Sequence, residues 1–357
     1  MDIHRFLHEA VQRNASDLHL TAGAHPTLRI DGNLVPLDGP LLKPEDTRQL
    51  AGQILTREQL DLFEDRGELD FSYNSAKTGS FRVNVYYQRG SVGLAIRVVS
   101  RQIPSLVSLG LPETVATLAR RSQGLILVTG PAGSGKSTTI AAMLNLINEE
   151  RACHIITLED PIEYRHTNKK SIINQREIGS DSKTFPGALR AALRQDPDVI
   201  MVGEMRDLET ISITITAAET GHLVLATLHT SSAPQAVERI IDVFPSNQQQ
   251  QVRLQLSNTL AGVLSQRLLR RKDGKGRLAA LEILLSTPAV RNLIRESKLH
   301  QLYSAMQTGM RFGMQTLDQA LQGYYKEDLI SADEVRKYAA DLDFIERFLE
   351  QNNNGVS

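Results

Sequence analysis

The chain has 357 residues, of which 41% are hydrophobic and 23% are charged. Its 40 Lys and Arg residues balance 41 Asp and Glu residues, for a formal net charge of -1. This balance argues against a surface built mainly to grip nucleic acid, where a basic excess is expected, although it does not exclude a local basic patch. The single cysteine, Cys153, excludes a disulfide framework and a cysteine zinc site, and it is typical of a protein from a reducing cytosol.

The N-terminal residues 1–5 are not followed by a long apolar run, so no signal peptide is expected. No uninterrupted apolar stretch is long enough to cross a bilayer. The sequence therefore predicts a cytoplasmic protein without a transmembrane segment, which could still dock onto a membrane machine.

Residues 1 to 100 have the pattern of a small α+β domain. Apolar residues between Ile3 and Val11 are spaced as on a one-sided helix. Asp31-Gly32 lies between two short apolar segments and is a strong hairpin signal. Strands are expected, in chain order, at 15–20, 28–30, 34–37, 80–86 and 93–99.

Residues 113–290 show short apolar strands that alternate with helical stretches. Their strands are expected at 125–128, 154–158, 199–202 and 222–228. This alternation predicts an α/β domain with a mostly parallel sheet, helices on both faces, and ligands at the carboxyl ends of the strands.

The segments outside these two domains are shorter. Two prolines in the segment 101–112 indicate a linker, which would serve as a hinge. Residues 291–350 are expected to form a helical region. The tail 351–357 lacks apolar side chains apart from one valine and is expected to be disordered.

The strongest chemical signal is the segment 130–137, which fits the pattern G-x-x-x-x-G-K-[ST] between a buried strand and a helix. The glycines let backbone N–H groups converge on phosphate oxygens, beside the positive end of the helix dipole. Lys136 is expected to reach the β- and γ-phosphates, and the Ser137 hydroxyl to ligate Mg²⁺. ATP and Mg²⁺ are the expected ligands; the alternative is a glycine-rich turn that binds nothing. The loop residues assigned to nucleotide binding are Gly130, Ala132, Gly133, Ser134, Gly135, Lys136, Ser137 and Thr138.

Two later strands end in carboxylates. The segment 159–163 follows one strand, and its Pro161 makes the turn rigid. A carboxylate there could orient an attacking water, or the segment could be a polar strand exit that caps the next helix. Glu204 follows the strand 199–202, where P-loop enzymes place the acid that holds the metal hydration shell. The usual acid is aspartate, so the longer Glu204 side chain leaves its role open between the metal and the water.

His222 and His229 lie seven positions apart at the two ends of one predicted strand. In a regular strand they face opposite sides, so a joint metal site is not expected. The functional interpretation is that His229, at the C-terminal end, senses the γ-phosphate. The alternative is a structural histidine with satisfied hydrogen bonds.

Two further patterns favour structural interpretations. In the segment 289–296, Val290, Leu293 and Ile294 lie on one side, which indicates a core-packing helix with a charged outer face. A cluster of basic residues is interrupted by Gly274 and Gly276, so a solvated, mobile hairpin is favoured over a nucleic-acid surface. This cluster comprises Arg267, Arg270, Arg271, Lys272, Lys275 and Arg277.

Taken together, these motifs closely resemble the type IV pilus retraction ATPases (PilT-like proteins) of the secretion ATPase superfamily. The P-loop alone is generic, but the ordered set with its last member is specific. One departure is Ala132, where the family usually has threonine; this position contributes mainly backbone, so little loss is expected. The matching segments are 15–20, 81–84, 95–101, 130–137, 157–163, 193–207, 221–230 and 289–296.

The resemblance implies a PAS-like N-terminal α+β domain and a RecA-like P-loop NTPase core, assembled as a homohexamer with ATP sites at subunit junctions. It implies a Mg²⁺-dependent ATPase that powers pilus retraction, and hence twitching motility, by driving pilin back into the inner membrane through a membrane platform protein. The protein would act in the cytoplasm, at the inner face of the inner membrane, in peripheral contact with that machinery and without nucleic acid.

Within the family scheme, Glu163 is the water-polarising acid and Glu204 the Walker B acid, which holds Mg²⁺ directly or through water. His222 and His229 form the family's His-box pair. An arginine often completes oligomeric NTPase sites by neutralising transition-state charge, and Arg82 and Arg97 are the candidates, with Arg239 a weaker one.

Four alternatives stay open. A paralogous accessory retraction ATPase carries the same motifs. Pilus assembly and type II secretion ATPases typically have an additional N-terminal domain and often a tetracysteine zinc insert; this chain starts almost directly at the PAS-like domain and has one cysteine. The near-neutral charge disfavours a RecA-like nucleic-acid translocase. The presence of both Glu163 and Glu204 disfavours a scaffold that binds ATP without turnover.

Overall fold

A computed structural model describes residues 1–30, 32–75, 77–99 and 102–353. The chain divides into two compact units. The first comprises residues 1–102 together with the short segment 163–165, and the second comprises residues 103–162 and the chain from 166 onward. In the part of the chain that the structure describes, no helix combines the length and the apolar character needed to span a bilayer.

The first unit is an antiparallel sheet with three helices. Its six strands are ordered β3-β2-β1-β6-β5-β4. The elements are α1 (Ile3–Gln12), β1 (Asp17–Thr21), β2 (Thr27–Ile30), β3 (Asn33–Pro36), α2 (Pro44–Gly52), α3 (Arg57–Arg66), β4 (Glu68–Ser75), β5 (Gly79–Gln88) and β6 (Ser91–Val99).

Local patterning explains the elements of this unit. On α1 the residues Ile3, Leu7 and Ala10 are fully buried, because their i, i+4, i+7 spacing places them on one face. The strands β2 and β3 form the predicted hairpin, with Ile30 paired to Asn33. The predicted turn of this hairpin is Asp31-Gly32, and Asp31 lies outside the described residues. The buried sheet face and the helices enclose one apolar core.

The second unit contains a seven-stranded sheet in the order β13-β12-β7-β11-β10-β8-β9. Its strands are parallel except for β13, which pairs antiparallel with β12 at one edge. The elements are α4 (Glu113–Ala119), β7 (Gly124–Thr129), α5 (Lys136–Glu150), β8 (His154–Glu159), β9 (Ile172–Glu177), α6 (Phe185–Ala192), β10 (Val199–Val202), α7 (Leu208–Glu219), β11 (Leu223–Leu228), α8 (Ala233–Asp242), α9 (Ser246–Thr259), β12 (Leu260–Arg270), β13 (Arg277–Leu285), α10 (Pro288–Arg295), α11 (Leu302–Thr308), α12 (Leu317–Lys326), α13 (Ala332–Tyr338) and α14 (Leu342–Asn353).

Both faces of this sheet are buried, which explains why its central strands are continuous apolar runs. Leu125 and Leu127 of β7 belong to the core on one face, against α6 to α11. Ile126 and Val128 belong to the core on the other face, against α4 and α5. The carboxyl ends of the parallel strands therefore meet at one sheet edge, where the loops carry the candidate site.

Three strands of this sheet, β9, β12 and β13, were not predicted from the sequence. β9 is an edge strand with the polar sequence IINQRE, so it lacks an apolar pattern. β12 follows α9 without a loop, so the two patterns merge. The basic hairpin is present, but Arg267 and Arg270 lie within β12 rather than in its loop, and Arg270 pairs with Arg277.

The flanking segments also differ in detail from their predicted patterns. Leu106, in the predicted linker, is buried in a core of the second unit; Arg101, at the start of that segment, lies outside the described residues. The helices α12 to α14 enclose a small core with Leu269 and Ala280 of the β12–β13 hairpin. α14 extends to Asn353, and residues 354–357 of the predicted tail lie outside the described residues.

Candidate active site

The candidate site begins where the buried strand β7 passes into α5. All six residues of β7 are buried. The loop then uses positive φ angles at Gly130 (144°), Gly133 (74°) and Gly135 (88°), which other residues rarely adopt. Gly135 is the N-cap of α5, and no side chain caps that helix end. Such a helix start, preceded by a glycine loop, is where P-loop proteins bind phosphate oxygens.

Close packing also requires glycine in this loop. A Cβ atom on Gly130 would lie 2.4 Å from the backbone oxygen of Gln266 and 2.6 Å from Ser134 Oγ. A Cβ atom on Gly135 would lie 2.8 Å from Gln266 Nε2. The loop is therefore pressed against β12, and Gln266 is a site residue that the sequence analysis missed.

Lys136 holds its ammonium group over the loop. Its side chain is buried, and Nζ donates hydrogen bonds to the carbonyl oxygens of Gly130 (2.9 Å) and Pro131 (3.0 Å). Ala132 and Gly133 are exposed at the tip of the loop, whereas Ser137 and Thr138 are half-buried in the first turn of α5. The predicted nucleotide-binding residues thus form one loop and helix start that contain the Lys136 ammonium.

The donor set of the loop fits phosphate. Ser134 is 3% exposed, and its buried Oγ has no hydrogen-bond partner. This orphaned hydroxyl needs a partner, and it lies in the same loop as the Lys136 ammonium and the helix start that no side chain caps. A nucleotide phosphate supplies such oxygens, and the Ser137 hydroxyl is in the turn where P-loop proteins hold Mg²⁺.

Glu204 and His229 are brought together at the same sheet edge. Glu204 follows β10 and His229 follows β11, the neighbouring parallel strand. His229 Nε2 lies 3.2 Å from Glu204 Oε1. Glu204 also accepts a hydrogen bond from the guanidinium of Arg206, which raises the pKa of Arg206. Glu204 is therefore held between a histidine and an exposed arginine.

The carboxylates at the end of β8 and in the turn after it lie in two different environments. Glu159 is 8% exposed, and its Oε1 accepts hydrogen bonds from Thr157 Oγ1 (2.6 Å) and Gln175 Nε2 (3.0 Å). Glu163 is exposed and lies in the segment 163–165 of the first unit. The buried Glu159 fixes the strand exit, whereas Glu163 is the accessible acid.

His222 lies at the opposite end of β11 from His229. Its Nδ1 is 2.9 Å from the Ala217 carbonyl oxygen and 3.1 Å from Thr220 Oγ1, both at the end of α7. The intervening strand places the two histidines about 20 Å apart, so they do not share a ligand. His222 fixes the turn between α7 and β11.

Arg82 and Arg97 are direct neighbours on the sheet of the first unit. They are paired across β5 and β6, and both side chains are exposed. Arg97 Nε donates a hydrogen bond to Asp17 Oδ1 at 3.0 Å. The two candidate arginines therefore form one exposed positive pair.

Comparison with known proteins decides the family. The model of the family "Type II/IV secretion system protein" matches residues 1–337, most of the chain. The chain belongs to this secretion-ATPase family. The predicted enzyme class, an ATPase, is confirmed with it.

Individual members of the secretion-ATPase family are similar over nearly their whole length. The type IV pilus retraction ATPase PilT of Pseudomonas aeruginosa is 47% identical, over 95% of this chain and 98% of the relative. The type IV pilus ATPase PilU of the same organism is 41% identical, over 95% of this chain and 89% of the relative. The crystal structure of the pilus retraction motor PilT with bound ADP has a TM-score of 0.91 at 52% identity and covers 97% of this chain and 99% of that chain. The resemblance to the retraction ATPases and the predicted fold class, with its RecA-like core, are confirmed.

Proposed function

We propose that this protein is a hexameric, Mg²⁺-dependent ATP-hydrolysing motor that powers retraction of type IV pili and thereby twitching motility. The observation that carries the proposal is the intact P-loop with its orphaned Ser134 hydroxyl, in a chain 47% identical to a pilus retraction ATPase over nearly all of its length. The motor would act at the cytoplasmic face of the inner membrane, against a membrane platform protein.

The candidate residues divide by task. The loop 130–138 would bind the phosphates, and Glu163, as the accessible acid, would orient the attacking water. Mg²⁺ would be held by Ser137 and Glu204 and would neutralise charge that develops on the phosphate oxygens. Because His229, at the end of β11, contacts Glu204, it would sense whether the γ-phosphate is present.

Arg82 and Arg97 would complete the site in the assembled ring. Phosphoryl transfer requires positioning and charge neutralisation rather than covalent catalysis, so a site completed by a second element couples chemistry to movement. The segment 101–112 would serve as the hinge. Nucleotide binding would then shift the population of ring conformations through its different affinity for each.

The experiment that tests the motor chemistry is ATP turnover of the purified chain beside Glu163→Gln, with the mass in solution recorded for the same samples. We expect a hexamer with Mg²⁺-dependent hydrolysis, and a fall in turnover of roughly 10² to 10⁴-fold in the variant because the water is no longer oriented by a carboxylate. Nucleotide affinity should stay unchanged. Normal turnover in Glu163→Gln would remove this residue from the catalytic role.

The pilus-specific part is tested on α10. Val290 and Ile294 are fully buried and Leu293 is half-buried, whereas Arg295 is exposed. We expect Arg295→Glu, like other charge changes on the exposed face, to abolish retraction in cells while ATPase activity is kept. Ile294→Asp is the control, since a charge in the core should impair both. Equal loss of both in Arg295→Glu would favour a packing role alone, and a deletion strain that still retracts would favour the accessory paralogue.

A further inference from the structure

The P-loop depends on a residue that lies far from it in sequence. β12 runs parallel to β7, with Leu264 beside Val128 and Ser265 beside Thr129. This register places Gln266 beside Gly130, the first glycine of the loop. Gln266 is 2% exposed, so its side-chain amide must find its partners inside the protein.

The amide of Gln266 joins the two halves of the phosphate site. Its Nε2 donates a hydrogen bond to the carbonyl oxygen of Ser134 at 2.8 Å. Its Oε1 accepts one from the hydroxyl of Thr139 at 2.7 Å. Thr139, in the first turn of α5, is itself 1% exposed. One side chain thus fixes both the loop backbone and the start of the helix.

We propose that Gln266 is a positioning residue for phosphate binding, and that it acts by orienting the peptide between Ser134 and Gly135. In a trans peptide the C=O and N–H groups point in opposite directions. Because Gln266 holds the Ser134 carbonyl, the Gly135 N–H is turned away from β12 and presented to a phosphate oxygen. The inference rests on the proposed nucleotide-binding function of this loop.

The chemistry of the amide gives the proposal a specific test. A carboxylate at position 266 can accept from Thr139 but cannot donate to the Ser134 carbonyl, and the two oxygens repel. A protonated carboxyl has both capacities again, in nearly the shape of the amide. Burial raises the pKa of an acid, so the introduced carboxyl is expected to recover its proton at mildly acidic pH.

The experiment is titration of the full-length chain with a fluorescent ADP analogue and Mg²⁺ at pH 8 and pH 6. For Gln266→Glu we expect affinity about 10-fold or more below the unsubstituted chain at pH 8, and most of that loss regained at pH 6. Gln53→Glu is the matched control, because the Gln53 amide likewise donates to a carbonyl, that of Met1, and accepts a hydrogen bond, from the Ile3 N–H, within the first unit. It should leave affinity unchanged at both pH values.

A second pair of variants examines the helix side of the contact. Thr139→Val removes the donor to Gln266 and should weaken binding about 3- to 10-fold, whereas Thr139→Ser keeps the hydroxyl and should bind normally. Wild-type affinity in Gln266→Glu at pH 8, or a loss that pH 6 does not reverse, would overturn the inference while leaving the proposed function intact. Failure of the unsubstituted chain to bind the analogue would instead overturn the proposed function.

Discussion

Two strand–helix junctions, both at the carboxyl ends of parallel strands, differ in how the N-terminus of the helix is capped. β7 passes into α5 through Gly135, and no side chain caps that helix. On the neighbouring strand of the sheet, β11 passes into α8 through Ser232, whose side chain accepts a hydrogen bond from the Gln235 N–H. The second junction has a side-chain cap, whereas the first has none and consists of a glycine-rich loop.

The difference teaches how the fold separates stability from function. A capped helix end gains about 1 kcal/mol from its serine or threonine. The α5 junction lacks that side-chain cap and instead has three positive-φ glycines, a buried lysine and the orphaned Ser134 hydroxyl. At the α8 junction, the candidate site residue His229 precedes the N-cap Ser232, and its Nε2 contacts Glu204.

The largest effect expected at the α5 junction comes from Lys136→Ala. Removing the ammonium held at the loop should weaken nucleotide affinity on the order of 100-fold, because a desolvated cation facing phosphate is lost. Lys169→Ala is the control: its ammonium also contacts α5, through Glu149 and Asn145, but at the opposite end. A binding titration of both variants decides, and unchanged affinity in Lys136→Ala would contradict the phosphate-cradle assignment.

Substituting the two N-cap residues compares the junctions directly. Gly135→Ala places a Cβ 2.8 Å from Gln266 Nε2 at a φ of 88°, so nucleotide affinity should fall by about 10-fold or more as the loop shifts. Ser232→Ala should leave affinity unchanged and lower the free energy of unfolding by about 1 kcal/mol. Thermal unfolding and nucleotide titration of both proteins provide the check; similar profiles would mean that the two junctions do not differ in role.

A smaller effect is expected from the histidines at the two ends of β11. His229→Gln should lower ATP turnover about fivefold with little change in affinity, because the contact to Glu204 is weakened. His222→Gln should lower stability by about 1 kcal/mol through its hydrogen bond to the Ala217 carbonyl, with normal turnover. Steady-state kinetics separate the two, and equal turnover in both variants would remove His229 from the site.

The sequence predicts the α5 junction well because its determinants are contiguous. The motif, the buried strand before it and the helix after it all lie within residues 125–150 and need no knowledge of the tertiary fold. The contact between Glu204 and His229 could also be predicted, since both follow neighbouring parallel strands. The sequence could not predict that Glu159 is buried and Glu163 is exposed, because one turn separates them and only packing distinguishes them.

Gln266 could not be found from the sequence, for a physical reason. Its importance comes from strand register, which places it beside Gly130, 136 positions earlier in the sequence. No local pattern records such a contact. β12 itself was hidden, because it continues directly from α9 and no turn signal marks its start.

The register of β12 also has a consequence for biosynthesis. The loop at 130–137 leaves the ribosome early, but the strand that presses against its glycines comes from the second half of the chain. A nascent chain that ends before β12 carries the complete nucleotide motif without the surface that shapes it. We therefore expect nucleotide binding to this loop to require that β12 has been synthesised and has paired with β7.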